Sequence, residues 1–218
     1  ENLGIPPEEL NKIKREVTTA INCAANVKHI GKYASFYKDN VKTVLNILKI
    51  CKENNIDLAH ISTLSLHGFK NEDTTRVFDE NVLNINQTFD KSPYLISKYE
   101  AEEIILKAIN NKEVNAKIFR IGNIMPRMSD GKFQNNFEQN AFILAIKEIG
   151  NIGLQTIEMI NSEIYLTPVD ECAKAISIIL NSSCNNVIYH IESDKVVKVS
   201  DIAKIIRKKY NELNITNV

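Results

Sequence analysis

The sequence of 218 residues is long enough for one compact globular domain, and 44% hydrophobic residues with 25% charged residues allow a sizeable core. Lysine plus arginine equals aspartate plus glutamate at 27 each, which argues against nucleic acid or an anionic membrane as partner. The four cysteines include no C-x-x-C pair, and no apolar run approaches the ~20 residues that span a bilayer. These features predict reduced thiols, no metal site, no membrane segment, a cytoplasmic location and a small or medium-sized neutral ligand.

The first half of the chain alternates between helical and strand patterns. Two prolines followed by Glu8 and Glu9 suit the first turn of a helix that ends near Lys14. Strands are predicted at EVTTAINCAA, DLAHISTLS and NAKIFRIGNI, and the helices between them at FYKDNVKTVLNILKICKEN and SPYLISKYEAEEIILKAINN. These strands are apolar on both faces, which is typical of parallel strands covered by helices. The pattern therefore predicts the α/β class with a doubly wound, Rossmann-like parallel sheet.

After Asn123 the regular alternation stops. A polar segment, MPRMSDGKFQNNFEQ, is followed by the amphipathic stretch NAFILAIKEIG, and we expect this part to face the substrate. A strand, a helix, a strand and a helix are then predicted at EIYLTPVD, DECAKAISIILN, NVIYHIES and SDIAKIIRKKYNEL. The chain thus divides into residues 1–123 and residues 124–218, the second part with mixed helices and short strands.

Small and polar residues follow the predicted strands. In parallel α/β sheets ligands bind beyond the carboxyl ends of the strands, so these positions are candidates for contact with a flat ligand. The first strand ends in Ala24, Ala25 and Asn26, the second ends near Thr63, and the third ends at Gly122 and Asn123.

Tyr94 precedes Lys98 by four residues at the start of the second long helix, so both side chains lie on one face. A nearby ammonium favours the phenolate and lowers the pKa of a phenol from about 10. With Thr63 as a further hydrogen-bond donor, this set predicts a site that polarises a carbonyl and protonates it as a hydride arrives. Taken alone, the same spacing also suits two ordinary residues on a helix face.

Five segments resemble, in this order, the extended short-chain dehydrogenase/reductase superfamily: INCAANVKHIGKYASFYKDNVKTVLNIL, HISTLSLHG, SPYLISKYEAE, FRIGNIMPR and YLTPVDECAKAI. Within it they look most like the terminal thioester reductase domains of nonribosomal peptide synthetases, with carboxylic acid reductases and fatty acyl reductases as relatives. The resemblance implies a catalytic set of Thr63, Tyr94 and Lys98. It also places Asn40 at the asparagine of an N-V-x-G-T stretch.

The resemblance implies that NADPH reduces a thioester held on the phosphopantetheine arm of a carrier protein, giving an aldehyde or an alcohol. Tyr94 would protonate the oxygen, Thr63 would hold it, and Lys98 would lower the pKa of Tyr94 and contact the nicotinamide ribose. Residues 1–123 would be the C-terminal part of an NADP-binding domain, and residues 124–218 a substrate-binding region. The implied cofactor contacts are Ala24, Ala25, Asn26, Thr63, Tyr94, Lys98, Gly122 and Asn123, and the expected substrate contacts are His29, Phe133 and Asn136.

A glycine-rich turn, which such enzymes use to bind the pyrophosphate, is not found among the seven glycines of the sequence. The nearest approach, from Gly150 to Gly153, lies late and has no strand before it. The resemblance begins at the fourth strand of the superfamily's sheet, so we expect weak NADPH binding and little turnover by this chain alone. The strand around 17–24 should then present an open apolar edge, which predicts self-association or a chain cut from a larger protein.

Two other functions stay open on the sequence. A nucleotide-sugar epimerase or dehydratase that uses NAD would need basic residues for a diphosphate, for which Arg127 and Lys132 are the candidates. A non-catalytic carrier-docking fragment would explain the missing phosphate-binding turn. It would not explain the presence of Thr63, Tyr94 and Lys98 together.

Overall fold

The computed structural model describes residues 4–28, 30–69, 76–137, 140, 143–144 and 162–212. The chain forms two compact units. The first contains Glu1–Ile121 and Ile179–Ile191, and the second contains Gly122–Ile178 and Glu192–Val218. The sequence-based division after residue 123 did not anticipate that residues 179–191 return to the first unit.

The secondary structure follows the predicted alternation. The strands of the described residues are β1 Thr19–Asn22, β2 Asp57–Thr63, β3 Ala116–Ile121, β4 Asn123–Met125, β5 Glu163–Pro168, β6 Ile188–Ile191 and β7 Val196–Lys198. Their helices are α1 Pro7–Glu16, α2 Tyr33–Phe36, α3 Lys42–Asn54, α4 Pro93–Asn110, α5 Val169–Leu180 and α6 Val199–Glu212. A π-helix, Tyr37–Val41, joins α2 to α3, and a 3-10 turn, Leu64–His67, follows β2.

The first unit is built on a four-stranded sheet in the order β1-β2-β3-β6, with every neighbouring pair parallel. This confirms the α/β class and the parallel sheet. Helices α3 and α4 pack against one face of this sheet through a continuous apolar core. Its buried members are Val44, Leu48 and Cys51 from α3, Ala101, Ile105 and Ala108 from α4, and Ile56, Leu58, Ala116, Ile118 and Ile188 from the sheet and its flanks.

Local signals fix where α4 begins. Ser92 is the N-cap, and its hydroxyl oxygen accepts a hydrogen bond from the backbone N–H of Leu95 at 3.4 Å. Pro93 occupies the first helical position, where the missing N–H costs no helical hydrogen bond. As a result, Tyr94 lies in the first turn of α4, and the sheet and the apolar core hold the rest of the helix in place.

Strand β1 lies at the edge of the described sheet and pairs with β2 alone. Thr19 is exposed, and Ile21 is 53% exposed. Among the described residues, this edge of β1 is therefore unpaired, as expected from the sequence, and Ile21 is its exposed apolar residue. Self-association through this edge stays a prediction.

The second unit holds a separate three-stranded sheet in which β4 pairs parallel with β5, and β5 pairs antiparallel with β7. The sequence predicted one strand through Ile124, but β3 ends at Ile121 and β4 belongs to this other sheet. Gly122 lies at the break, where an added Cβ would stand 2.7 Å from the Glu192 carboxylate. Most of the predicted amphipathic stretch at 140–150 lies outside the described residues. Within the described ranges, no helix has the length and apolar character needed to cross a bilayer.

Candidate active site

Thr63 and Tyr94 meet at the carboxyl end of β2. The Thr63 side chain hydrogen-bonds the Tyr94 phenol. The Thr63 oxygen also accepts a hydrogen bond from the backbone N–H of Ser65, at 3.2 Å. Since a hydroxyl carries one proton, this arrangement leaves the Thr63 proton for the phenol oxygen. Two of the predicted catalytic side chains are thus in direct contact.

The pKa of the Tyr94 phenol is raised, because burial disfavours the phenolate more than the hydrogen bond from Thr63 favours it. The sequence-based expectation was the opposite direction, with Lys98 lowering this pKa, and it is wrong for this structure. Burial could not be read from the four-residue spacing. A phenol that keeps its proton at neutral pH is in the form that a proton donor needs.

Lys98 lies one helical turn beyond Tyr94 and is 97% buried, with 3% of its surface exposed. Its ammonium donates a hydrogen bond of 2.6 Å to the carbonyl oxygen of Ile61 in β2. Burial lowers the pKa of Lys98 to about 8, and the charges of Glu102 and Cys23 oppose that fall. The side chain therefore sits beside the same end of β2 as Thr63.

Asn40, in the π-helix, braces the loop after β1 against α4. Its side-chain oxygen accepts from the backbone N–H of Asn26 at 2.6 Å, and its amide donates to the Asn26 carbonyl at 3.1 Å. The same amide donates to the Ser97 hydroxyl at 2.8 Å, which in turn donates to the Tyr94 carbonyl at 2.8 Å. These contacts favour a positioning role for Asn40 over direct contact with a substrate.

The loop after β1 carries the other predicted contacts of the first unit. Ala24 is exposed and Ala25 is half-buried, so both present small side chains just beyond the strand. The Asn26 amide instead donates to the Asp39 carboxylate at 3.0 Å, and its oxygen accepts from the Lys28 backbone N–H at 3.2 Å. Asn26 thus organises the loop with its side chain. His29 lies outside the described residues.

The remaining predicted contacts belong to the second unit. Gly122 precedes β4, and Asn123 is a strand residue whose amide donates to the Tyr165 carbonyl at 3.3 Å. Phe133 is half-buried and Asn136 is exposed, in the loop that follows β4. Their cofactor and substrate roles stay predictions.

The two basic candidates for a sugar-nucleotide diphosphate share one acidic partner. Arg127 donates to the carboxylate of Asp130 at 2.5 Å, and the Lys132 ammonium lies 3.8 Å from it. The same loop is tethered by Asp170, whose carboxylate accepts from the backbone N–H groups of Met128 and Ser129. This pairing gives no support to the epimerase alternative.

Sequence reasoning missed a buried ion pair between Glu102 and Arg120, both of which have no exposed surface. Glu102 Oε1 accepts from Arg120 Nε at 2.8 Å, and Oε2 accepts from the Ser62 hydroxyl at 2.7 Å. The available signal was the spacing, because Glu102 follows Lys98 by four residues on the face that carries Tyr94. No group of metal-ligating residues occurs within the described part of the chain.

Residues 1–176 match the NAD-binding family that is described as male sterility protein. The chain belongs to this family. The chain is also similar to "Probable polyketide synthase 38" from Dictyostelium discoideum. The two are 28% identical over 195 residues, which cover 85% of this chain and 6% of that protein. The chain therefore spans a small part of such relatives.

Solved structures place this male sterility family member near terminal reductase domains. A thiolation-reductase di-domain from an archaeal non-ribosomal peptide synthetase has a TM-score of 0.86 and 29% identity, and the match covers 97% of this chain and 45% of that one. UDP-glucuronic acid 4-epimerase from Bacillus cereus has a TM-score of 0.71 at 19% identity, over 97% of this chain and 64% of that one, and shares the fold. These matches confirm the resemblance predicted from the sequence.

Proposed function

We propose that this chain carries the catalytic residues of an NADPH-dependent reductase that acts on an acyl or peptidyl thioester bound to a carrier protein. The overall reaction is thioester plus NADPH plus a proton, giving aldehyde, free thiol and NADP⁺. The observation that carries the proposal is the contact between the Thr63 hydroxyl and the Tyr94 phenol, with buried Lys98 one turn further along α4.

The cofactor supplies a hydride to the thioester carbonyl carbon when it is bound. Tyr94 then gives its proton to the carbonyl oxygen, for which its raised pKa keeps the proton available. Thr63 donates to the phenol oxygen and stabilises the phenolate that remains. The hydroxyl group formed on the substrate next gives its proton to the departing sulfur as the C–S bond breaks. A proton from solvent then restores the Tyr94 phenol, which accounts for the proton in the overall reaction.

The residues of the first unit fit the nicotinamide end of the cofactor. Ala24 and Ala25 place no long side chain beyond β1, and the Lys98 ammonium offers a donor for a ribose hydroxyl. The sequence has no glycine-rich turn for the pyrophosphate. We propose NADPH in preference to NADH from the family resemblance, and weak binding of its pyrophosphate because the glycine-rich turn is absent from this sequence.

The carrier-bound substrate is supported by the thiolation domain that accompanies the reductase in the archaeal structure. A thioester tethered in this way arrives at high effective concentration, so a weakly binding pocket is sufficient. Whether the product is an aldehyde or, after a second reduction, an alcohol depends on how fast the aldehyde leaves.

Single-turnover reduction tests the proposal. The protein is mixed with an acyl-pantetheine thioester and NADPH or NADH at millimolar concentration, and aldehyde is trapped and identified by mass spectrometry. Replacing Tyr94 with phenylalanine should lower the rate by about 10²- to 10⁴-fold, because it removes the proton donor. The matched control is Tyr99→Phe on the same helix, whose ring instead packs against Phe89 at 5.4 Å.

Two results would reject this function. One is the absence of aldehyde and alcohol at every NADPH concentration. The other is equal rates for the Tyr94 and Tyr99 variants. A non-catalytic docking fragment predicts the first result, together with retained binding of a carrier protein.

A further inference from the structure

Lys98 carries a buried positive charge, and its hydrogen bond offsets only part of the cost of removing that charge from water. The Ile61 carbonyl accepts from the ammonium at 2.6 Å, but one neutral acceptor does not replace the water that burial removes. Burial accordingly lowers the pKa of Lys98 to about 8, close enough to neutral pH for the charge to depend on the surroundings. Because this pKa already includes the charges around the side chain, the group that opposes the effect of burial helps to decide whether Lys98 is charged at neutral pH.

Titratable groups face Lys98 from three elements: Cys23 after β1, His60 in β2 and Glu102 on α4 itself. Burial holds the pKa of His60 well below its ordinary value, so this imidazole is neutral at pH 7. Cys23 is exposed to solvent, which screens charge. Of these three groups, Glu102 is the one that is both a carboxylate and fully buried.

The Glu102 carboxylate is held in one place by other elements of the first unit. Ser62 of β2 donates to one oxygen, and Arg120 of β3 donates to the other. Arg120 is itself fixed, because it donates to the Asp79 carbonyl at 2.9 Å and lies 4.2 Å from the centre of the Phe78 ring. The negative charge near Lys98 is therefore pre-positioned by the fold.

We propose that Glu102 is a positioning residue that keeps Lys98 in its ammonium form at neutral pH and fixes α4 on the end of β2. Three successive residues of β2 each contact one turn of α4. Thr63 contacts Tyr94, the Ile61 carbonyl contacts Lys98, and Ser62 contacts Glu102. A role of these contacts in catalysis rests on the proposed function. The effect of Glu102 on the charge of Lys98 does not depend on it.

Titration of the Lys98 side chain by NMR tests the inference directly. The signal is assigned with Lys98→Met, and its pKa is then followed in the 218-residue protein. Glu102→Gln keeps the shape and the hydrogen-bond acceptor but removes the charge, so the pKa of Lys98 should fall by about one pH unit. Glu103→Gln is the matched control, since the neighbouring carboxylate is exposed and its charge is screened.

The variant Ser62→Ala distinguishes a purely structural role of Glu102 from an electrostatic effect on Lys98. This change removes the hydrogen bond to Glu102 and keeps the charge, so the Lys98 titration should stay close to that of the wild type. If Glu102→Gln does not fold, the double variant Glu102→Gln with Arg120→Met replaces both charges, which buried pairs often tolerate. It should also lower the pKa of Lys98, but by less than Glu102→Gln alone, because the loss of the Arg120 cation favours the ammonium. An unchanged titration in every folded Glu102 variant would overturn the inference.

Activity gives a second readout that depends on the proposed function. In Glu102→Gln, the alkaline limb of the pH–rate profile should move to lower pH by the same amount as the Lys98 titration. A shifted titration in a protein that makes no aldehyde would reject the function and leave this inference standing. An unshifted Lys98 titration in a variant with normal activity would overturn this inference and leave the proposed function standing.

Discussion

Replacing Asn40 with alanine should destabilise the fold through the loop after β1. The change removes hydrogen bonds of 2.6 and 3.1 Å to the Asn26 backbone and one of 2.8 Å to the Ser97 hydroxyl, at a site with 3% exposure. At about 1 kcal/mol net for each bond, the free energy of unfolding should fall by about 3 kcal/mol. For a chain of this size, that loss lowers the melting temperature by about 6 to 12 °C.

Urea denaturation followed by circular dichroism measures this difference. The control is Asn46→Ala on α3, a half-buried asparagine that should change the free energy of unfolding by less than about 0.5 kcal/mol. A loss below about 1 kcal/mol for the Asn40 variant, or an equal loss for both variants, would mean that these bonds do not brace the loop.

Three further predictions concern stability. Arg120→Met should cost about 3 to 5 kcal/mol because it leaves a buried carboxylate unpaired, whereas Arg127→Met at an exposed ion pair should cost less than about 1 kcal/mol; equal losses in urea would contradict this. Gly68→Ala should melt at a lower temperature than Gly131→Ala, since both glycines have positive φ but only at Gly68 does an added Cβ lie 2.5 Å from a backbone oxygen; the reverse order would refute this. Burial lowers the pKa of His60, so the unfolded chain takes up a proton that the fold excludes, and stability is present above about pH 6.5 and lost as the pH falls below it. His60→Gln should therefore lose less stability between pH 7 and pH 5, and an unchanged pH dependence would argue against a neutral buried imidazole.

Local sequence patterns predicted most of the first unit, because burial repeats along each strand and helix. The runs DLAHISTLS and NAKIFRIGNI became neighbouring parallel strands, and SPYLISKYEAEEIILKAINN became α4. The sequence placed the end of the third strand at Gly122 and Asn123, but it did not predict that the chain enters a second sheet at Asn123. A glycine inside a strand pattern was the available signal for a bend or a close approach.

The candidate site was predictable where it depends on spacing and strand ends, as for Thr63 and Tyr94. It was not predictable where distant residues pair, as Glu102 does with Arg120 at a separation of 18 residues. The pKa of Tyr94 also escaped prediction, because its direction is decided by how much solvent the folded chain removes from the phenol.

The π-helix between α2 and α3 amounts to one extra residue in an otherwise continuous helix, with the Lys42 N–H reaching back five residues to the Tyr37 carbonyl. If the same residues wound as an ordinary α-helix, the extra residue would rotate everything before it by about 100° relative to α3. Tyr33, whose hydroxyl donates a hydrogen bond to the Glu100 carboxylate of α4, would then lose this contact. The π-helix therefore allows Tyr33 of α2 to contact α4 while α3 keeps its own packing against the sheet.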